Sequence, residues 1–210
     1  MKIVQHKYKE NTDEQLMTEV IKGNDRAFSE IYDRYSKMML NYFYKMLWQD
    51  REKAEDFMQE LFTKIIHKPE LFNVNKSFKT WIFSVAHNMC KNEYRKQEVR
   101  KGTSNNLNEN IAVASNEMAP DERHDITVFN DRLKEELAEL SSNHRTTFIL
   151  RFKQDMSIKE IAEVMETSEG TVKSRIFYAL KKLNESLQEF KPIGVSVVLL
   201  IINAIKTLTF

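Results

Sequence analysis

The chain has 210 residues, with 32 Lys and Arg against 31 Asp and Glu, for a formal net charge of +1. That balance excludes a chain drawn to nucleic acid or to a membrane by its overall charge, so any such contact has to come from local patches. One Cys, four Gly and three Pro exclude a disulfide framework and a hairpin-rich β fold. The lone thiol, Cys90, suits a reducing cytoplasm and a packing role.

Residues 1–11 read as a polar leader without the apolar stretch of a secretory signal. Thr12 or Asp13 then caps a helix with Leu16, Val20 and Ile21 on one side, and Gly23-Asn24-Asp25 stops and restarts the chain. From Arg26 to Trp48, apolar and aromatic residues recur at spacings of three and four, including Phe28, Ile31, Tyr35, Met39 and Phe43. Gln49-Asp50 interrupts this run. Arg51 to His67 forms the next helix, with Ala54, Phe57, Met58, Leu61, Phe62, Ile65 and Ile66 as its apolar residues and Glu55, Asp56, Gln59, Glu60 and Lys64 on its polar face. Acidic residues in its early turns suit a helix N-terminus. Leu71 to Lys76 is a loop, and a fourth helix starts at Ser77. One of its faces is apolar (Phe78, Trp81, Ile82, Val85, Ala86, Met89) and the other is polar and basic (Asn88, Lys91, Asn92, Arg95, Lys96). Aromatics interleaved with amides and cations suit single-stranded nucleic acid; an ordinary amphipathic helix accounts for the same pattern.

Gly102 to Asp125 is rich in Asn, Ser, Glu and Asp and reads as a flexible linker. Val128 to Leu140 is helical again, and Ser141 caps a helix carrying Phe148, Ile149, Leu150 and Phe152. Two short helices joined by a tight turn follow. Ser157 and Glu160 have the spacing of a capping box, and Ile158, Ile161, Ala162 and Met165 share a face. Ser168 caps the second helix, whose buried stripe is Val172, Ile176, Leu180, Leu183 and Leu187. Between Gly170 and Asn184 lie four cations (Lys173, Arg175, Lys181, Lys182) and no acid. Such a face suits the recognition helix of a DNA-binding helix-turn-helix. The turn position is Glu166, where a left-handed backbone costs about 1 kcal/mol or more. The five His residues are scattered, and no Gly-rich phosphate loop, Cys pair or HExxH arrangement occurs. The expectation is therefore an all-α protein that is not an enzyme and uses no cofactor or metal.

These segments together resemble the sigma-70 family, in its small extracytoplasmic-function (ECF) group. GNDRAFSEIYDRY, AEDFMQELFTKI and SFKTWIFSVAHNMCKNEYRK are similar to region 2, and LSSNHRTTFILRFKQDMSIKEIAEVMETSEGTVKSRIFYALKKL to region 4. The resemblance implies a promoter-specificity subunit of bacterial RNA polymerase. Its domains are a region 2-like bundle over 1–98, a linker over 99–128, a region 4-like domain over 129–190 and an apolar tail over 191–210. Asp56, Gln59, Glu60 and Phe62 match the D-x-x-Q-E-x-F segment that docks on the β′ clamp helices, alongside contacts to the β subunit. Trp81, Asn88, Lys91, Asn92 and Arg95, with the Leu71–Lys76 loop, correspond to the part that captures an unpaired −10 base. Thr171, Lys173, Ser174, Arg175, Phe177, Tyr178, Lys181 and Lys182 correspond to the −35 reader. Glu166 departs from the family's turn glycine, and Tyr178 takes a place often held by a base. The implied partners are core polymerase, promoter DNA and an anti-sigma factor, in the cytoplasm. A stand-alone helix-turn-helix regulator with a helical sensor domain is the alternative. A pure interaction protein would not need the basic face.

The tail stands outside the resemblance. Pro192 ends the last helix, and only Gly194, Ser196 and Asn203 break the apolar run from Ile193 to Ile205. Three fates are open. It docks on the protein or a partner, it makes a weak membrane contact at the periphery, or it stays unpacked and aggregation-prone. Thirteen residues are short for a span, which needs about 17 or more. Docking, with an inhibitory role, is the expectation.

Overall fold

The structure, a computed structural model, describes residues 6–103, 122–190 and 201–202, and every regular element among them is helical. Two compact units share the chain. The first combines Met1–Cys90 with Met156–Val172, and the second combines Lys91–Asp155 with Lys173–Phe210.

The first unit begins with α1 (His6–Lys9), α2 (Asp13–Ile21), α3 (Asp25–Met46), α4 (Arg51–His67) and the opening turns of α5 (Phe78–Thr103). Local chemistry sets each break. Thr12 and Gln15 form a reciprocal capping box at the start of α2. Gly23, at φ 83°, lets the chain turn through the left-handed region, and the Asn24 side chain then accepts from Arg26 and Ala27 N–H to start α3. Trp48 and Gln49 also adopt positive φ, 55° and 60°, at a cost of about 1–2 kcal/mol each. Asp50 then caps α4 through Lys53 N–H at 3.0 Å.

Fully buried Leu16 and Met17 from α2, Ile31, Met39, Tyr42 and Phe43 from α3, and Leu61 and Ile65 from α4 meet Phe78, Ile82 and Phe83 from α5. Each such side chain contributes about 1.5–3 kcal/mol of transfer free energy. Edge-to-face aromatic pairs orient the helices, with Tyr42 on Phe83 at 5.3 Å and Phe43 on Phe57 at 5.6 Å.

A polar clasp ties the N-terminal segment to α3. The Arg34 guanidinium pairs with Asp13 and Glu30, both at 2.8 Å, and donates to the carbonyls of Tyr8, Lys9 and Asn11. Asp13 also accepts a hydrogen bond from the Tyr35 hydroxyl. Burial, and then this carboxylate, push the Tyr35 phenol well above the ordinary tyrosine range.

The next residue of α2, Glu14, reaches a different helix: its Oε1 accepts from Phe78 N–H at 3.0 Å. Ser77 Oγ accepts from Thr80 N–H at 3.3 Å, so two side chains satisfy the first turn of α5. Burial opposes ionisation of Glu14, but the Phe78 N–H, its own N–H and the Thr12 hydroxyl together hold it below the usual carboxylate range.

The second unit contains α6 (Glu122–Ala138), α7 (Ser142–Phe152) and most of α9 (Glu169–Ser186), whereas α8 (Ile158–Val164) falls in the first unit. Phe129, Leu133, Leu137, Leu140, Phe148, Ala179, Leu183 and Leu187 form the second core. In the first unit, Ser84 Oγ donates to the Val164 carbonyl at 3.4 Å. Helix α5 runs to Thr103 and α6 begins at Glu122, so both ends of the stretch expected as a linker are helical. No helix breaker occurs between Ser77 and Gly102, which allows α5 its length. Residues 104–121, most of the expected linker, lie outside the described residues, as do residues 1–5 of the leader and all of the tail but Ile201 and Ile202.

The Glu14 cap has a definite pH signature. With the folded-state pKa depressed, its charge stabilises the fold above the unfolded value and the contribution is lost as pH falls through the folded value. Glu14→Gln is expected to lower stability by about 1 kcal/mol at pH 7. The gap from wild type should close below roughly pH 4. Urea unfolding at both pH values checks it, and a gap independent of pH contradicts the assignment.

Candidate nucleic-acid interface

Three exposed faces carry the residues singled out in the sequence. On α4, Asp56, Gln59 and Glu60 are solvent-facing, and Glu60 pairs with Lys64 at 2.6 Å. Phe62 is not on that face. It is 3% exposed and packs against Tyr32 at 4.7 Å and Phe28 at 6.3 Å, so it holds α4 on α3 from behind.

The second face lies along α5. Trp81, Val85 and Asn88 are half-buried, and Lys91, Asn92 and Arg95 are exposed. Trp81, Val85, Asn88, Asn92 and Arg95 follow one another at steps of four and three, which places them on one side of the helix. An aromatic relay fixes Trp81. Tyr35 meets Phe78 at 5.2 Å, Phe78 meets Phe72 at 5.3 Å, and Phe72 meets Trp81 at 5.3 Å. Phe72 is the buried anchor of the loop, following a 3₁₀ turn over Pro69–Leu71, while Leu71 stays exposed. Between the end of α4, this loop and α5 lies an open cavity of about 290 Å³. Trp81, Val85, Leu71 and Ile65 supply its apolar wall, and Lys64, His67 and Lys68 its basic rim. Its size is at the lower limit of pockets that take small molecules. Its position was not legible in the sequence, because the lining comes from three separate segments.

The third face is the helix pair. Ser157 and Glu160 form the expected capping box on α8. Ser168 Oγ accepts from Thr171 N–H at 3.1 Å and lies 2.9 Å from the Thr171 hydroxyl. Thr171 therefore serves the cap of α9. Glu166 makes the turn with φ 50°, the left-handed conformation that the sequence made costly. Thr167 N–H donates to the Ala162 carbonyl at 3.0 Å and closes the turn.

On α9, Lys173 and Ser174 are exposed and Arg175 is half-buried. Phe177 and Tyr178 are 62% and 57% exposed, an unusual state for aromatics on a helix, and their rings meet at 5.4 Å. The two C-terminal lysines differ. Lys181 lies 3.9 Å from Glu185, whereas Lys182 donates to the Glu139 carbonyl at 2.9 Å and so satisfies the end of α6. In the second unit the fold also brings His144 to this face, which spacing along the chain could not reveal. Its ring is 6.5 Å from Tyr178, and Ser141 Oγ lies 2.7 Å from Nδ1. Burial, then the charges of Arg175 and Lys182, hold the imidazole below its usual range.

An acidic face, an aromatic and basic helix beside a cavity, and a capped helix-turn-helix together define a helical DNA-binding protein of transcription. Comparison with known proteins makes this specific. Residues 31–100 match sigma-70 region 2, and residues 130–183 match sigma-70 region 4. The ECF RNA polymerase sigma factor SigW of Bacillus subtilis is 25% identical over 177 residues, covering 81% of this chain and 94% of the relative. The ECF RNA polymerase sigma factor SigL of Mycobacterium tuberculosis is 31% identical over 162 residues, covering 76% and 88%. Among solved structures, the sigma factor RpoE of Bartonella quintana, in complex with the anti-sigma factor NepR, aligns with a TM-score of 0.60 at 25% identity, covering 77% of this chain and 96% of that one. CnrH, in complex with the cytosolic domain of CnrY, aligns at 0.62 with 21% identity, covering 85% and 99%, and bears on the fold alone. The chain belongs to the sigma-70 family, in its extracytoplasmic-function group. It is an RNA polymerase sigma factor, which acts in transcription initiation and binds DNA through a region 4 helix-turn-helix. The match to region 2 disfavours the stand-alone regulator.

The strained turn yields a direct test. Glu166→Gly removes the left-handed penalty and is expected to raise stability by about 1 kcal/mol, less the extra chain entropy of glycine. Glu166→Val is expected to lower it. Thermal melts of both variants check the ordering, and a destabilising glycine contradicts it.

Proposed function

We propose that the three faces divide the work of initiation. The α4 face of Asp56, Gln59 and Glu60 docks on the β′ clamp helices of core polymerase, with Phe62 as its internal support. Trp81, Asn88, Lys91, Asn92 and Arg95, with the Leu71–Lys76 loop, hold the melted −10 strand. Lys173, Ser174, Arg175, Phe177 and Tyr178 face the −35 duplex, Thr171 caps their helix, and Lys181 with Lys182 adds charge beside the phosphates. On this reading the domains are 1–98, 99–128, 129–190 and a tail from 191.

The observation that carries the reading is the cavity beside Trp81. An aromatic floor with a cationic rim suits one unstacked base and its phosphates. Removing a base from the stack costs a few kcal/mol, which the protein offsets with stacking worth about 1–3 kcal/mol per base. His67 and Lys68 were not among the expected site residues and join it through this cavity. On α9, base-edge contacts from Ser174 and Arg175 carry sequence, and the lysines carry affinity. The partners are core polymerase, promoter DNA and an anti-sigma protein. Support for the last comes from the similar RpoE of Bartonella quintana, solved in complex with the anti-sigma factor NepR. Among the described residues no helix is long and apolar enough to cross a membrane.

One paired experiment separates the first two faces. A double variant, Asp56→Arg with Gln59→Ala, is expected to lose co-purification with β′ while keeping its helicity. Trp81→Ala is expected to keep core binding and to weaken capture of a single-stranded −10 oligonucleotide by the holoenzyme about tenfold or more. Parallel loss of both activities in both variants contradicts the division.

A further inference from the structure

We infer that Ile201 is a core residue of the second unit that braces α9 from its buried side. The chain exits α9 through a 3₁₀ turn over Gln188–Phe190, where the Phe190 ring packs edge-on against Phe129 at 5.4 Å. Phe190 is partly buried against the second core. Eleven residues later, Ile201 lies in the same core, with Phe129, Leu133 and Leu137 of α6, Phe148 of α7, and Ala179 and Leu183 of α9. It is 0% exposed. Ile201 and Ile202 are helical, with Ile202 half-buried. Both residues that bracket 191–200 therefore rest on one cluster.

The energetics favour this arrangement. An exposed isoleucine gives up about 1.5–3 kcal/mol relative to a buried one. The apolar run from Ile193 to Ile205 offers no polar face to water. The region 4 match ends at residue 183, so Ile201 lies outside the matched residues. Its place is behind α9. Ala179 and Leu183 lie in the cluster while Phe177 and Tyr178 are exposed, so Ile201 braces the inner face of the helix whose outer face is assigned above to the −35 element. Ile201 is in this sense a positioning residue, and that part of the inference rests on the −35 reading. Removing residues 192–210 strips Ile201 from the core.

The test uses the full chain carrying Ile201→Cys, because the native thiol of Cys90 is buried and gives little background. The new thiol is expected to react with a maleimide roughly a hundredfold or more slowly than in urea. That protection should be unchanged by dilution and by vesicles of phosphatidylglycerol and phosphatidylethanolamine. Reaction at the unfolded rate overturns the inference. Protection lost on dilution points to a second copy, protection that appears only with vesicles points to a membrane, and either result overturns it. Ile201→Asp is expected to lower the melting temperature by about 4–8 °C or more and to weaken binding of a −35 duplex at a temperature where it stays folded. Ile201→Leu should restore both. An unchanged melting temperature for Ile201→Asp overturns the core role. A core role with unaltered −35 affinity overturns the bracing role, and failure of the wild-type chain to bind any −35 duplex overturns the −35 reading while leaving the core role intact.

Discussion

The amide of Phe78, at the start of α5, is held by a carboxylate from another helix, the Oε1 of Glu14 at 3.0 Å. A helix N-terminus leaves donors unpaired, and a partly buried one needs partners. Here a long-range cap does more than satisfy a donor: it fixes α5 relative to α2, and α2 is fixed to α3 by the Arg34 clasp. The aromatic relay from Tyr35 to Trp81 passes through the same residue, Phe78, and then Phe72. The cavity wall is therefore set by interactions one turn away, on the buried side of α5. A rigid support of this kind holds the cavity wall in one arrangement.

The helix-turn-helix obeys a different constraint. Its two caps are local, while its turn stores strain at Glu166. A residue whose side chain is exposed at the turn is tolerated there because the Thr167 amide and the flanking helices determine the backbone. The long helix α9 begins in one compact unit, at the strained turn, and ends in the other, against α6 and α7. Lys182, exposed by area, is tied to a carbonyl, so proximity to an acid-free face does not make every cation on it equally available.

Much of the fold was legible because it rests on short-range rules. The caps at Thr12, Ser141, Ser157 and Ser168 and the full extent of α4 follow from side chains three or four residues apart. The stripe on α9 was read with Ile176 and Leu180 inside, yet both are half-buried and Ala179 is fully buried, because the core approaches that helix slightly off the line of its largest residues. Val164 was missed for a similar reason. Phe62 sits in the motif with Asp56 and Gln59 but is buried against Phe28 and Tyr32 of α3. The Arg34 clasp, the Glu14 cap, the approach of His144 to Tyr178 and the burial of Ile201 all join residues far apart in sequence. Periodicity carries no trace of such pairs, since it reports which face is apolar and not what that face meets.

The most direct measurement of the central claim is transcription in a defined system. Core polymerase, the purified chain and a genomic fragment library are incubated with nucleotides, and RNA 5′ ends are mapped. If the chain directs initiation, discrete start sites appear only when it is present, and they share one −10-like and one −35-like sequence at constant spacing. A premelted −10 bubble should then restore transcripts to a Trp81→Ala variant. Start sites identical with and without the chain, or chain-dependent sites with no shared element, would contradict the account.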